Sequence, residues 1–212
     1  MLRDQDIREP LFDFLEERLG KIRIIEEKTM GRSRADIVMV LPEALVGIEI
    51  KSDADTYTRL SRQVLDYDRY FDYNYVVIGS THAMHAHEHV PEHWGIISVE
   101  SVEEQKGVLD FYMIRSAKRN PNMVPEKKIK LLWRPELAHI QEKNGMYKYA
   151  RASKEFVQKK ILETVPQEVL WKQMSEELFE RDYTQIEQTL NEYRSRNSKK
   201  QSTAKKRVRK KR

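Results

Sequence analysis

Two strongly β-forming runs separated by a proline, followed by a helix and a third apolar run, most constrain the fold of this chain. ADIVMVL at 35–41 and LVGIEIK at 45–51 are rich in β-branched residues, with Pro42 between them, and this pattern predicts a hairpin. Apolar residues at helical spacing follow from about Asp55 to Phe71, and NYVVIG at 74–79 is typical of a buried strand. This order of elements predicts an α/β core with a mixed sheet.

Further elements are expected before and after this core. A first helix is predicted from a capping box formed by Asp6 and Glu9, and Gly20 is expected to end it. Three more runs are typical of strands: 21–29, 94–100 and 108–114.

The strand pattern stops after residue 115. Residues 115–130 carry six basic residues, one acid and two prolines, which predicts a cationic loop. One helix is expected near 126–143, with a break at Pro135 and a stop at Asn144-Gly145, and a second near 153–163. Two more are expected to begin at capping boxes, one formed by Thr164 and Gln167 and the other by Thr184 and Glu187.

Charge divides the chain more sharply than its net value of +5 indicates. Residues 194–212 hold eleven of the 39 basic residues and no acid. Residues 1–193 therefore contain 28 basic and 34 acidic residues and carry a net charge of about −6. Such a tail is expected to be disordered and to favour a polyanion such as nucleic acid, the alternative being a solubility tail. We therefore predict a core at 1–115, a basic loop and helical appendage at 116–193, and the tail.

Composition excludes several classes of protein. The 212 residues include no cysteine, which excludes disulfides, zinc fingers, iron–sulfur ligation and a thiol nucleophile. No run approaches the roughly 18 apolar residues that a membrane helix needs, and the N-terminus lacks the apolar stretch of a secretory signal. We expect a soluble, cytoplasmic protein that does not engage a membrane.

Three polar residues stand in the predicted hairpin at positions that suit phosphoester chemistry. Side chains alternate along a strand, so Glu49 and Lys51 share a face, and Asp36 opens the neighbouring strand. Two carboxylates at a strand edge suit Mg²⁺, a hard cation that takes oxygen ligands and keeps several waters. A lysine beside such a site orients or deprotonates water and stabilises phosphate charge. The alternative is that Glu49 and Lys51 form the solvated face of an ordinary strand.

This stretch resembles the PD-(D/E)XK nuclease superfamily. Its three signature positions are filled here by Asp36, Glu49 and Lys51, with Ala35 in place of the usual proline. On the following helix, Gln63 and Tyr67 match the Q-x-x-x-Y element of RecB-like members.

Other segments extend the resemblance. The run from Lys51 to Gln63 is similar to a poorly characterised bacterial and phage family inside that superfamily, related to MmcB-like DNA-repair proteins. Trp94-Gly95 and LLWRPEL at 131–137 are similar to it as well. The resemblance covers roughly residues 5–185 and leaves out the tail.

The resemblance implies a restriction-endonuclease-like α/β fold and hydrolysis of DNA phosphodiester bonds that depends on Mg²⁺ or Mn²⁺, in DNA repair and processing or in phage DNA metabolism. By position it implies Asp36 and Glu49 as metal ligands, Lys51 as the catalytic lysine, and Gln63 and Tyr67 as groups that position substrate. Tyr67 also falls on an apolar helix stripe, which favours a core role. A non-catalytic DNA-binding or adaptor protein and an RNA-directed protein remain as alternatives.

Additional groups are candidates for the same site. In the resembling family an Ile-Arg pair is typical of the first helix, which makes Arg8 a candidate to reach the acidic site or a phosphate, whereas Glu9 is expected to face away from the core. Arg34 is a candidate phosphate contact, and either Glu26 or Glu27 is a candidate extra carboxylate.

Two further features have local interpretations. Asp55 or Thr56 is predicted to cap the helix after Lys51, which would bring free N–H groups near the phosphate site. Five histidines fall between His82 and His93, and His85 and His89 have the spacing of two metal ligands on a helix. A polar crossover segment is the favoured interpretation of this cluster.

Overall fold

The computed structural model describes residues 2–53, 55–102 and 107–181. Within them the chain forms seven α-helices: α1 (Asp4–Leu19), α2 (Leu60–Tyr70), α3 (Ala86–His89), α4 (Pro125–Lys128), α5 (Arg134–Lys143), α6 (Lys154–Thr164) and α7 (Gln167–Phe179). The strands are β1 (Arg23–Met30), β2 (Ser33–Val40), β3 (Leu45–Lys51), β4 (Tyr73–Gly79), β5 (Gly95–Ser101) and β6 (Leu109–Arg115). Short 3₁₀ turns lie at Tyr57–Arg59, Ser80–His85 and Ile129–Leu131.

The strands form one mixed sheet in the order β1-β2-β3-β4-β5-β6. Strands β1, β2 and β3 are antiparallel neighbours, β3, β4 and β5 run parallel, and β6 is antiparallel to β5. The predicted hairpin at Pro42 and the mixed α/β sheet are therefore confirmed. Helix α2 supplies the crossover that two neighbouring parallel strands require, since a tight turn cannot join them.

Each face of the sheet has its own apolar core within one compact unit, Met1–Phe179. Helix α1 covers one face, against side chains such as Ile37, Ile48 and Ile97. Helices α2 and α4–α7 cover the other face, around buried groups such as Tyr67 and Trp94. The helices expected as an appendage after residue 115 therefore pack in the same core as the sheet.

Several predicted boundaries are corrected by the structure. Helix α1 begins two residues before the predicted box, at Asp4, because the Asp6 carboxylate accepts a 3.0 Å hydrogen bond from the Arg3 N–H. Its end at Gly20, with φ of 73°, is as predicted. The interruption expected at Pro135 lies earlier, at residues 132–133, because Pro135 stands in the first turn of α5, where its missing N–H costs nothing.

The cationic loop predicted at 115–130 is only partly a loop. Its last third forms α4 and a 3₁₀ turn, and Lys128 is fully buried against Asp72. Arg115 donates to two backbone carbonyls, at 2.7 and 2.8 Å. Two of its six cations are therefore structural.

Helix α7 begins at Gln167, while Thr164 still belongs to α6, so the predicted box at Thr164 does not form. None of the described helices is both long and apolar enough to cross a membrane. The helix predicted from Thr184 and the basic tail at 194–212 lie outside the described residues.

Candidate active site

Three carboxylates occupy one row across β1, β2 and β3. Strand β2 pairs Ile37 with Ile48, so the next position on each strand is Asp36 on β2 and Glu49 on β3. On β1 the same row falls at Glu27, where the ladder skips one pair and the backbone takes a left-handed φ of 52°. Acidic side chains from three strands are thereby brought to one edge of the sheet.

Glu49 is 1% exposed and almost fully engaged. Its Oε1 accepts hydrogen bonds from Lys51 Nζ, at 2.6 Å, and from Gln63 Nε2. Its Oε2 accepts one from the Tyr67 hydroxyl at 2.7 Å. A carboxylate oxygen accepts about two such bonds, so Oε2 has one acceptor position left. Since Glu49 and Lys51 are both buried, they do not form the solvated face of an ordinary strand.

Asp36 is partly buried and retains most of its acceptor capacity. Its Oδ2 accepts from the Ile50 N–H at 2.9 Å, and its Oδ1 accepts nothing from the described residues. Burial, reinforced by the negative charge of Glu49, raises the pKa of Asp36 to about 7. Two carboxylates that repel each other and have open lone pairs form a site that a cation would stabilise.

Tyr67 is a core residue that also contacts Asp36 and Glu49. It is 0% exposed, and its hydroxyl accepts from the Asp36 N–H at 3.1 Å while donating to Glu49. Burial and the charges of Glu49 and Asp36 raise its pKa, so the hydroxyl remains protonated. Gly47 makes this approach possible, because a Cβ there would lie within 3 Å of the rings of Tyr67 and Phe71.

Lys51 completes the group through Gln63. Its Nζ donates to Glu49 and, at 3.1 Å, to Gln63 Oε1, and its side chain is 7% exposed. An ammonium group has three donors, so one N–H remains for a water molecule or a phosphate oxygen. The structure thus brings together the five residues that the sequence indicated: Asp36, Glu49, Lys51, Gln63 and Tyr67.

Arg8 reaches the acidic site from α1, as the sequence indicated. Its Nε donates to Asp4 at 2.8 Å, and its Nη1 donates to Glu26 at 2.9 Å and to the Asp36 carbonyl at 3.3 Å. Glu27 lies 3.7 Å from its Nη2. The guanidinium thereby balances a cluster of carboxylates.

Both alternatives for an extra carboxylate, Glu26 and Glu27, lie beside Arg8, because the left-handed backbone of Glu27 breaks the alternation of β1. They differ in position: Glu27 lines the cleft above Asp36 and Glu49 and also pairs with Arg34 at 2.6 Å. Glu27 is therefore the better placed of the two.

Four of these groups, Asp36, Glu49, Lys51 and Gln63, line a cleft of about 390 Å³, and Tyr67 is buried behind them. Five arginines line it: Arg8, Arg32, Arg34, Arg59 and Arg62. The sequence did not indicate three of these, Arg32, Arg59 and Arg62, or the acidic residue Asp4. The available signal was spacing, since Asp4 precedes Arg8 by one helical turn and Arg62 directly precedes Gln63.

The donor set fits Mg²⁺ or Mn²⁺ better than zinc. The described residues contain no group of three or more histidine, aspartate or glutamate side chains that could hold a metal. Mg²⁺ is usually bound by one or two protein carboxylates together with several waters, and Asp36 and Glu49 can supply the two carboxylates. Zinc sites use three or four protein ligands.

The capping prediction for the next helix is wrong. The Asp55 carboxylate turns back to Ser52, accepting from its N–H at 2.9 Å and its hydroxyl at 2.7 Å. Thr56 precedes the 3₁₀ turn without a side-chain cap, and α2 begins only at Leu60. Asp55 instead lines the cleft wall.

None of the described histidines lines the cleft that contains Asp36 and Glu49. His85 contacts Glu88 at 2.9 Å, and the His89 ring stacks on Tyr57 with 4.1 Å between ring centroids. His93 Nε2 lies 3.0 Å from the buried carboxylate of Asp68.

The chain matches one protein family over almost its whole length. The family model described as bacteriophage P4 protein cII matches residues 1–207. The chain belongs to this family. No curated protein matches the chain at a significant level.

Among solved structures, SfsA from Pyrococcus furiosus, solved in complex with Ca²⁺, is 16% identical to this protein cII family member. The match has a TM-score of 0.33 and covers 51% of this chain and 60% of SfsA. The chain therefore spans less than two thirds of the length of SfsA.

Proposed function

We propose that this protein is a metal-dependent nuclease of the PD-(D/E)XK type that hydrolyses DNA phosphodiester bonds. The observation that carries the proposal is the convergence of Asp36, Glu49 and Lys51 at one sheet edge, in a cleft lined by arginines. Asp36 and Glu49 would hold Mg²⁺ or Mn²⁺. Such an ion, when bound, lowers the pKa of a coordinated water and shields phosphate charge.

The chain's own groups have complementary roles in this proposal. The free N–H of Lys51 would orient the attacking water or a phosphate oxygen, and Gln63 holds that ammonium in place. Tyr67 fixes the Glu49 carboxylate and the Asp36 backbone relative to each other. Arg8 and Arg34 would contact phosphate oxygens at the mouth of the cleft, where a charged planar guanidinium suits them.

The family context supports a cellular setting. The family takes its description from a bacteriophage protein, and this favours a role in phage DNA metabolism or in DNA repair and processing. Such substrates are found in the cytoplasm, our proposed location.

A second function, DNA binding without catalysis, is favoured by one observation. Three hydrogen bonds from Lys51, Gln63 and Tyr67 already satisfy most of Glu49, so the buried charge of this carboxylate is compensated without a metal. An adaptor that keeps a nuclease fold would show this arrangement and would bind DNA without cutting it.

Cleavage of linear, circular and single-stranded DNA by the purified full chain tests the proposal. Wild type should cleave with Mg²⁺ and stop on addition of EDTA. Lys51→Ala should abolish cleavage, and Glu100→Gln, which changes an exposed carboxylate on β5, should not. Binding without cleavage at any Mg²⁺ or Mn²⁺ concentration would favour the adaptor.

A further inference from the structure

Three of the five cleft arginines differ from the other two in their partners. Arg8 is paired with Asp4 and Glu26, and Arg34 is paired with Glu27. By contrast, no carboxylate among the described residues forms an ion pair with the exposed side chains of Arg32, Arg59 and Arg62. Exposed, uncompensated guanidinium groups at a cleft are available to an external anion.

These three arginines lie on two walls of the cleft that contact each other. Arg32 is in the turn between β1 and β2, and Arg59 and Arg62 are at the start of α2. Arg62 Nη2 donates to the Arg32 carbonyl at 3.3 Å, and the hydroxyl of Ser33 donates to Asp66 on α2. The backbone positions of the three arginines relative to the carboxylates are thereby set by packed elements, so their side chains extend from fixed points.

The site separates its charges by depth. The buried side chains of Glu49 and Lys51 lie at the cleft floor, whereas the three unpaired arginines lie at its exposed margin. A phosphate that reaches the floor is close to Lys51 and to the carboxylate pair. The arginines at the margin then face positions beyond that phosphate.

We propose that Arg32, Arg59 and Arg62 hold the phosphates that flank the reacting one, so that the substrate is a polynucleotide strand and not a mononucleotide or another small phosphate ester. This inference rests on the proposed function and specifies which residues of the cleft bind the strand on either side of the reacting phosphate. A strand also compensates the arginines of both walls at once, which a single phosphate at the floor does not.

Salt-dependent binding tests the inference without catalysis. The full chain is titrated in EDTA with a labelled 20-nucleotide DNA strand and with its duplex, over a series of salt concentrations. Each phosphate contact contributes about 0.7 to 0.9 to the slope of log affinity against log salt. Arg59→Ala/Arg62→Ala should therefore flatten the slope by about 1.4 to 1.8, which corresponds to roughly 25- to 60-fold weaker binding at 0.1 M salt.

Two matched variants separate local contacts from general charge. Arg69→Ala/Lys159→Ala removes the same charge from exposed positions outside the cleft lining, Arg69 being near the other end of α2. It should leave the slope unchanged. Arg59→Lys/Arg62→Lys keeps the charge and should retain most of the slope, so a loss caused by misfolding would be recognised.

The outcomes also separate this inference from the proposed function. An unchanged slope in Arg59→Ala/Arg62→Ala, an equal loss in Arg69→Ala/Lys159→Ala, or thymidine monophosphate competing as strongly as the 20-nucleotide strand would overturn the inference, even if the wild type cleaves DNA. Margin-dependent strand binding by a wild type that never cleaves would support the assignment of the arginines and overturn the nuclease.

Discussion

Helix α2 lies between two buried polar clusters that differ in how completely their acceptors are used. On one side it contributes Gln63 and Tyr67 to the candidate active site. On the other it contributes Asp68 to a second group, here called the Asp68–Asp72 cluster. Its members are Asp68, Asp72, Asn74, His93, Trp94, Asn120, Asn122 and Lys128.

The Asp68–Asp72 cluster is closed. Asp68 Oδ1 lies within hydrogen-bonding distance of nitrogens of Asn74, His93 and Trp94, at 3.1, 3.0 and 2.8 Å. Asp72 accepts from Lys128 through both oxygens and from the Leu45 N–H at 2.7 Å. All four oxygens of these two carboxylates accept hydrogen bonds from within the protein, whereas the amide oxygen of Asn74, which is buried and does not line the cleft, has no partner among the described residues.

The cluster in the candidate active site is instead open, with Asp36 Oδ1 free of bonds from the described residues and a spare donor on Lys51. Burial and charge are common to both clusters and therefore do not identify function. Unused acceptor and donor capacity facing a cleft distinguishes the candidate site from a polar group that stabilises the fold.

The same substitution in each cluster gives the largest expected contrast. Asp36→Asn removes a proposed metal ligand and should reduce Mg²⁺-dependent cleavage by about 1,000-fold or more. Its stability should be retained or increased, because repulsion with Glu49 disappears while an amide oxygen can still accept from the Ile50 N–H. Cleavage rates and thermal unfolding measure the two effects. Full cleavage by Asp36→Asn would show that the site lies elsewhere.

Asp72→Asn should have the opposite profile. It leaves the fully buried ammonium of Lys128 without its charged partner, and breaking such a pair costs about 3–5 kcal/mol. Denaturant unfolding should show this loss, while the folded fraction should cleave DNA at the wild-type rate. Asp72→Asn/Lys128→Met removes both charges and should recover part of the stability, whereas equal stability of the single variant and wild type would contradict the role of the pair.

The raised pKa of Asp36 predicts a pH dependence for the open cluster. Between pH 4 and about 7 the native carboxyl holds a proton that the unfolded chain has lost, so this group makes the metal-free protein less stable as pH rises. The contribution is at most about 4 kcal/mol across that range and should be absent in Asp36→Asn.

Metal binding should show the reverse trend, because the ligand must be ionised. Calorimetric titration with Mg²⁺ should show affinity that increases from pH 5.5 to 7.5, with proton release. A pH-independent affinity would exclude Asp36 as the ligand.

The sequence predicted the open cluster better than the closed one, for physical reasons. Alternation along β3 places Glu49 and Lys51 on one face, and the family resemblance indicated Gln63 and Tyr67, which are one turn apart on α2. The burial of Lys128 depends on Asp72, 56 residues away, and no local pattern indicates it. The cationic loop was misjudged for that reason.

The margin of the site was missed for a similar reason. Asp4, Arg32, Arg59 and Arg62 meet only when α1, the β1–β2 turn and α2 pack together. Likewise the prediction that Asp55 caps the next helix was wrong, because its carboxylate accepts a hydrogen bond from the nearby Ser52 hydroxyl instead.

Substitution of Gly47 is expected to affect both stability and cleavage, each to an intermediate extent. A methyl group at this position would collide with the rings of Tyr67 and Phe71, so Gly47→Ala should destabilise the fold by about 1–3 kcal/mol. It should also lower cleavage by displacing the Tyr67 hydroxyl from Glu49. Tyr67→Phe is the matched control, since it removes the hydroxyl and keeps the packing. If Gly47→Ala is as stable and as active as wild type, the close approach of α2 to β3 does not matter.

The histidine-rich segment should give the smallest effect and tests whether the open cluster is the metal site. His85 is exposed beside Glu88, His89 stacks on Tyr57, and neither lines the cleft. His85→Ala/His89→Ala should therefore change cleavage and its metal requirement by no more than about twofold, since surface substitutions of this kind rarely exceed 0.5 kcal/mol. His93→Ala is the contrasting variant, because it removes a partly buried partner of the buried Asp68 carboxylate and should cost about 1–3 kcal/mol of stability. Loss of cleavage in the first variant with an intact fold, restored by excess Zn²⁺, would place a functional metal at the histidines and take that role from Asp36 and Glu49.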